Sequence, residues 1–144
     1  MRSFLIDASV VIKWVIDEDG TREALALRSH LLTAPDLLTA ECANILWKKV
    51  RRGELTEEEA CLAARLLARA DIDLIPMRPF LEPATRIAVA LDHPAYDCVY
   101  LAAAEAAGLP FVTADERLLR KVRQEPSGRF ASRALSLAEA ADAL

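Results

Sequence analysis

A chain of 144 residues can bury one sizeable core, and it reads as a single domain over residues 1–144. Its formal net charge of −4 excludes a generally basic surface, so an anionic substrate would need local basic clusters or a bound metal. Three cysteines without metal-type spacing exclude a disulfide scaffold and a thiolate zinc site, and predict reduced core thiols. The hydrophobic fraction of 53% is high, and much of it is alanine and leucine at helical spacing. Such helices are expected to be covered on more than one side, by a sheet and by a second subunit. Asp7 and Lys13 interrupt the apolar stretch near the N-terminus, no small-residue cleavage site follows, and no other run is long enough for a membrane span. The expectation is a soluble, cytoplasmic protein with no membrane partner.

In chain order, "SFLI" (3–6) predicts a strand and "ASVVIKWVIDE" (8–18) a helix leaving it. "TREALALRSHLL" (21–32) predicts a second helix, and "TAP" (33–35) a short strand. The run 36–52 has helical periodicity and stops at Gly53. The helix over 56–70 opens with Thr56 and Glu59 at capping-box spacing. A strand over 72–77 ends at prolines, and helices over 83–92 and 94–108 each begin with one. "LPFVTA" (109–114) predicts a strand, 115–124 a helix, 125–132 a loop and 136–144 a closing helix. Strands alternating with helices imply an α/β fold, with a small four- or five-stranded parallel sheet covered on both faces. The functional crevice of such a sheet lies beyond the carboxyl ends of its strands, where Asp7 and Asp115 fall.

Four acids stand out, each with a structural reading beside a functional one. Asp7 follows the first strand and could cap the next helix, with Ser9 offering a hydroxyl beside it. Glu41 falls between Leu37 and Ile45 on a helical wheel, inside the apolar arc of its own helix. A buried carboxylate costs several kcal/mol unless it is neutralised or paired, so Glu41 calls for a buried salt bridge or a shared cation. Asp97 sits in a first helical turn, which the helix dipole favours, but it also begins the inward stripe Asp97, Leu101, Ala104 and Gly108. Thr113 and Glu116 have capping-box spacing, which accounts for "TADE" and leaves Asp115 available. Clustered carboxylates repel one another unless a cation joins them, and oxygen ligands point to Mg²⁺, with Mn²⁺ as a substitute. His30 and His93 are too scattered for a zinc site. Such a cluster suits metal-assisted hydrolysis of a phosphodiester.

"LIDASVVIKW", "LTAECANILW", "AYDCVYLAAAE" and "FVTADERLLRKV", in this order over nearly the whole chain, resemble the PIN-domain ribonucleases, in particular the VapC-type toxins of toxin–antitoxin pairs. The resemblance implies a three-layer α/β/α fold and an endoribonuclease that acts as a toxin. It implies Asp7 and Asp97 as direct Mg²⁺ ligands, with Glu41 and Asp115 completing the pocket largely through coordinated water. It also implies Ser9 and Thr113 as supporting polar residues, a homodimer, and inhibition by a cognate antitoxin. Lys48, Lys49, Arg117 and Arg120 are candidate RNA contacts, although solvated cations at helix ends explain them equally well. Trp14 and Trp47 could stack on bases, but their apolar surroundings favour core or interface positions. A haloacid-dehalogenase phosphotransferase would need an acid where Ser9 stands, and a receiver domain would need an Asp ending a middle strand. The alternative from another class is a non-catalytic module of the same fold acting through protein or DNA complexes.

Overall fold

The computed structural model describes residues 1–144. Five strands form one parallel sheet: β1 (Ser3–Ile6), β2 (Leu31–Pro35), β3 (Asp73–Ile75), β4 (Phe111–Thr113) and β5 (Ala134–Ser136), in the order β3-β2-β1-β4-β5. β1 is central, and its Phe4, Leu5 and Ile6 are all fully buried, as a strand covered on both faces requires. It pairs with β2 in the register Ser3↔Leu31 and with β4 in the register Leu5↔Phe111.

The helices are α1 (Ala8–Val11), α2 (Thr21–Ala26), α3 (Leu37–Arg51), α4 (Glu57–Ala68), α5 (Leu81–Leu91), α6 (Ala95–Ala107), α7 (Glu116–Gln124) and α8 (Leu137–Asp142). α4 carries the expected capping box between Thr56 and Glu59, and Gly53 takes a positive φ of 74° just past α3. α6 packs against β1, β2 and β4 and pairs with α5, while α3 pairs with α4. α1 to α4 connect β1, β2 and β3 in one direction, and α5 to α7 connect β3, β4 and β5 in the other. The general right-handedness of parallel crossovers therefore assigns the two sets to opposite faces of the sheet.

Two expected helices differ and one strand is added. The helix expected over 8–18 is only α1 followed by a 3-10 turn over Ile12–Trp14. β-branched Val10, Val11 and Ile12 favour helix weakly, and the chain turns back so that Trp14 Nε1 donates to Ala24 O at 2.8 Å. The helix expected over 21–32 ends early in a 3-10 turn over Leu27–Ser29, because Leu31 and Leu32 pair with β1 instead. β5 was not anticipated. It has three residues at the sheet edge, too few to show a period.

Tyr100, Phe4, Phe111 and Phe130 anchor the main core, with the Tyr100 and Phe111 rings stacked at 6.1 Å between centroids. A smaller cluster of Ile12, Leu46, Ala60 and Ala63 lies under the α3–α4 pair. Cys42 and Cys98 are buried thiols as expected, but Cys61 lies on the outer face of α4 and is exposed. Trp47 is not a core residue: it is 53% exposed, with the Arg51 guanidinium 5.4 Å from its ring. No helix is long and apolar enough to cross a membrane.

The chain steps outward from β1 to β2 to β3, then crosses back to β4 on the other side of β1. The topological switch point therefore lies between the carboxyl ends of β1 and β4.

Candidate active site at the β1–β4 switch point

Asp7 immediately follows β1 and is only 5% exposed. It is the N-cap of α1, as its local reading predicts, but its side chain does more than cap. Oδ1 accepts from Ser9 N at 3.1 Å and from Ser9 Oγ at 2.5 Å, and Oδ2 accepts from Thr113 Oγ1 at 2.5 Å. Thr113, the last residue of β4, is fully buried. Its Oγ1 in turn accepts from Asp115 N at 3.1 Å, and Ser9 Oγ accepts from Ala114 N at 2.9 Å. One network thus ties the end of β1 to the end of β4. Burial pushes the Asp7 carboxyl up to about 7 against the opposing pull of the two hydroxyls, and the charges of Asp97 and Glu41 push the same way.

Glu41, in the middle of α3, is half-buried, and burial together with the Asp97 charge raises its carboxyl above the usual range. The Tyr100 hydroxyl lies near enough to favour the Glu41 carboxylate, and burial beside that carboxylate holds the phenol itself well above its ordinary value. Tyr100 Oη nevertheless closes no hydrogen bond of acceptable geometry to Glu41 or to any other group. Burial, then the charges of Glu41 and Asp7, push the Cys42 thiol up to about 12, which keeps it protonated and inert. Asp97, in the first turn of α6, is half-buried, and its Oδ2 lies 2.5 Å from His93 Nε2.

Asp115 departs from expectation. The capping box of Thr113 with Glu116 does not form, because Thr113 belongs to β4 and turns to Asp7. Asp115 is itself the N-cap of α7, with Oδ1 accepting from Arg117 N at 3.0 Å and Leu118 N at 3.1 Å. The structure therefore brings Asp7, Glu41 and Asp97 into one another's fields, and joins Asp115 to Asp7 through Thr113.

The oxygens left over show what this site could hold. Each carboxylate oxygen has two acceptor positions. Asp7 Oδ1 is filled, and Oδ2 keeps one position. Asp97 Oδ1, Asp115 Oδ2 and both oxygens of Glu41 accept no bond from another side chain or backbone group. No three acidic, His or Cys side chains close into a cage. Free hard oxygens without a cage suit a cation that keeps much of its water, as Mg²⁺ does, better than zinc.

Sequence reasoning missed several polar residues that the structure pairs or buries. Glu18 accepts from Lys13 at 3.1 Å and from Lys49 at 3.2 Å, tying the segment after α1 to α3. Lys49 is therefore engaged, whereas Lys48, Arg117 and Arg120 are exposed and form no ion pair. His93 and Tyr100 were also missed; the i,i+4 spacing of His93 and Asp97 was the readable signal for the first.

A model of the PIN domain matches residues 4–124. The chain is 31% identical over 122 residues to ribonuclease VapC3 of Pyrobaculum aerophilum, a match spanning 81% of this chain and 92% of that protein. Its fold is similar to that of PAE2754 from Pyrobaculum aerophilum, with a TM-score of 0.73 and 24% identity, covering 99% of this chain and 94% of that one. It is also similar to a toxin–antitoxin complex from Klebsiella pneumoniae, with a TM-score of 0.58, 14% identity and coverage of 93% and 97%. The sarcin–ricin loop cleaving toxin VapC20 of Mycobacterium tuberculosis follows, with a TM-score of 0.60, 14% identity and coverage of 76% and 86%. The solved structures speak for the fold, a parallel sheet between helix layers, and the sequence match speaks for the lineage. The chain that sets these acids at its β1–β4 switch point belongs to the PIN-domain family, among the VapC-type ribonucleases.

Proposed function

We propose that the chain is a Mg²⁺-dependent endoribonuclease that hydrolyses RNA phosphodiester bonds as the toxin of a toxin–antitoxin pair, with residues 1–144 acting as one nuclease domain. The observation that carries this reading is the convergence of Asp7, Glu41 and Asp97 on one strand-end crevice. They are close enough that the Asp97 charge raises the carboxyls of both Asp7 and Glu41, and the Glu41 charge raises that of Asp7. Such mutual repulsion is costly without a cation and becomes useful with one. Asp7 and Asp97 would hold Mg²⁺, or Mn²⁺ in its place, directly, and Glu41 and Asp115 would hold it partly through water. Bound there, the ion would steady the charge on the phosphate and make water a better nucleophile at neutral pH. Ser9 and Thr113 hold Asp7 so that only one acceptor position remains on its Oδ2. Glu41, with free oxygens and a raised carboxyl, is suited to receive a proton from the attacking water.

Lys48, Arg117 and Arg120 are free cations for RNA phosphates, contacts that position the substrate without reading its sequence. The exposed apolar side chains of Met77, Leu81, Val89 and Tyr96, on and around α5 and α6, support a homodimer. A second apolar groove, lined by Leu38, Leu46, Leu67, Ile72 and Leu74, would suit an amphipathic antitoxin segment. In this reading the protein works in the cytoplasm, where its RNA and its antitoxin are made. Purified protein incubated with structured and single-stranded RNA should cleave in Mg²⁺ or Mn²⁺ and stop in EDTA. Undiminished cleavage in EDTA overturns the metal-centred reading, and no cleavage under any metal returns the chain to the binding-module class.

A further inference from the structure

The three-residue turn between α5 and α6 carries two local costs. Asp92 has a φ of 49° and is the only non-glycine residue with a positive φ, a conformation that is unfavourable for L-residues. The turn is pinned in that shape by Lys121 Nζ, which donates to Asp92 O at 2.5 Å, and by His93 N, which donates to Ala88 O at 3.2 Å. The second cost is at His93. Its side chain is only 6% exposed, and Nδ1 is buried without any hydrogen-bond partner. Leaving a buried polar atom unpaired forfeits its hydration without compensation. Both costs fall where they set the imidazole against Asp97, with Nε2 2.5 Å from Oδ2. A carboxylate can only accept, so Nε2 carries the proton of this bond.

We propose that His93 is a positioning residue for the site: by engaging Oδ2 it fixes the rotamer of Asp97 and leaves Oδ1 as its single metal-binding oxygen. This deepens the metal-centred reading given above and rests on it. Asp97 sits on the first turn of a helix, where nothing else in the structure bonds its carboxylate. Without the imidazole, that carboxylate would be free to swing toward the solvent or to offer both oxygens. Asp7 needs no such device, since Ser9 and Thr113 already hold it from both sides. Imidazole–carboxylate partners outside the ligand shell typically change metal affinity 10–100-fold when removed.

The test compares His93→Gln, whose amide nitrogen reaches roughly where Nε2 lies, with His93→Asn, whose amide stops near the position of Nδ1. Mn²⁺ affinity is measured on the full chain by calorimetric titration and by the metal-induced rise in melting temperature, with melts in EDTA as the control for folding. The expected result is that His93→Gln keeps wild-type Mn²⁺ affinity and His93→Asn loses 10–100-fold, while their melts in EDTA stay close. RNA cleavage by His93→Asn should then recover at saturating Mn²⁺. Should His93→Asn not fold, His93→Leu, which matches the bulk of the ring without its donor, takes its place with the same expected loss. Equal Mn²⁺ affinity in the donor-keeping and donor-lacking variants overturns the inference, whatever the wild type does. If wild type binds Mn²⁺ and His93→Asn binds it as well, only the role of His93 falls. If wild type binds none, the metal-centred reading falls, and this inference falls with it.

Discussion

The acids of this site are held in two different ways. At the junction of β1 and β4, Asp7 is almost fully buried and three of its four acceptor positions are taken by Ser9 and Thr113. On α3 and α6, Glu41 and Asp97 are half-buried; Glu41 has no hydrogen-bond partner and Asp97 has only His93. The sheet supplies a rigid carboxylate whose position is set before any ligand arrives. The helices supply adjustable ones. A site with the proposed role, taking up a cation and releasing a product, would gain from both: one fixed point for geometry, and neighbours whose oxygens can follow the charge.

The sharpest break in this comparison is Asp7→Asn. Asn keeps the shape and the cap but loses the charge, and several kcal/mol of metal-borne stabilisation translate into a loss of RNA cleavage of about 10³-fold. Retention of a tenth of wild-type activity in the purified variant would show that the fixed carboxylate is not the anchor of the chemistry.

Next comes pH. With its carboxyl raised to about 7 in the folded chain from an ordinary 3.8, Asp7 binds a proton between those values that the unfolded chain has released. Stability in EDTA should therefore fall as pH rises from 4 to 7 and level off above. The raised Glu41 adds to the same slope. Since one pKa unit is 1.36 kcal/mol, the full Asp7 contribution is of order 4 kcal/mol. Asp7→Asn should remove most of the slope and be more stable than wild type at pH 8 without metal. Melts that instead rise with pH through this window would place a cation partner beside Asp7.

A smaller effect separates the helix-borne acids. Mn²⁺ at about one hundred times its dissociation constant should stabilise the folded chain by about 2.7 kcal/mol, a rise in melting temperature on the order of 5–10 °C. Asp97→Asn should shrink that rise and leave the metal-free protein as stable or more so, because it removes one like charge. An equal rise in both proteins excludes Asp97 as a ligand, and a loss of stability in EDTA would mark it as the partner of a buried cation instead.

The smallest effect is expected at Glu18, outside both regions. Burial pushes its carboxyl up, but the two lysines outweigh this and lower it. Because those lysines are only 13% and 14% exposed, Glu18→Gln leaves them without a counter-charge and should cost about 1–2 kcal/mol. That contribution is present above the ordinary carboxyl range and is lost as pH falls through the depressed value. Cleavage within a few-fold of wild type is expected; a collapse of cleavage with the melt unchanged would bring Lys13 and Lys49 into substrate binding.

The sequence by itself determined the alternation of strands and helices, the C-terminal stop at Gly53 and the capping box at Thr56, and it singled out the four candidate acids. Each of these is written in local periodicity or in a residue type that tolerates few environments. Glu41 is the clearest case, since a carboxylate inside an apolar arc needs a partner wherever the helix goes. What only the tertiary structure decided depends on contacts between distant segments. Leu31 and Leu32 leave their helical pattern because β1 offers them backbone partners. Three residues become β5 because β4 has an open edge. Thr113 turns from a cap into a support for Asp7, and Asp115 becomes the cap, because β4 extends through Thr113 and ends facing β1. The pairing of Lys13 and Lys49 on Glu18 and the meeting of Asp7, Glu41 and Asp97 likewise exist only after the chain has closed at the β1–β4 switch point, since side-chain fields and bonds over such sequence separations leave no trace in a local pattern.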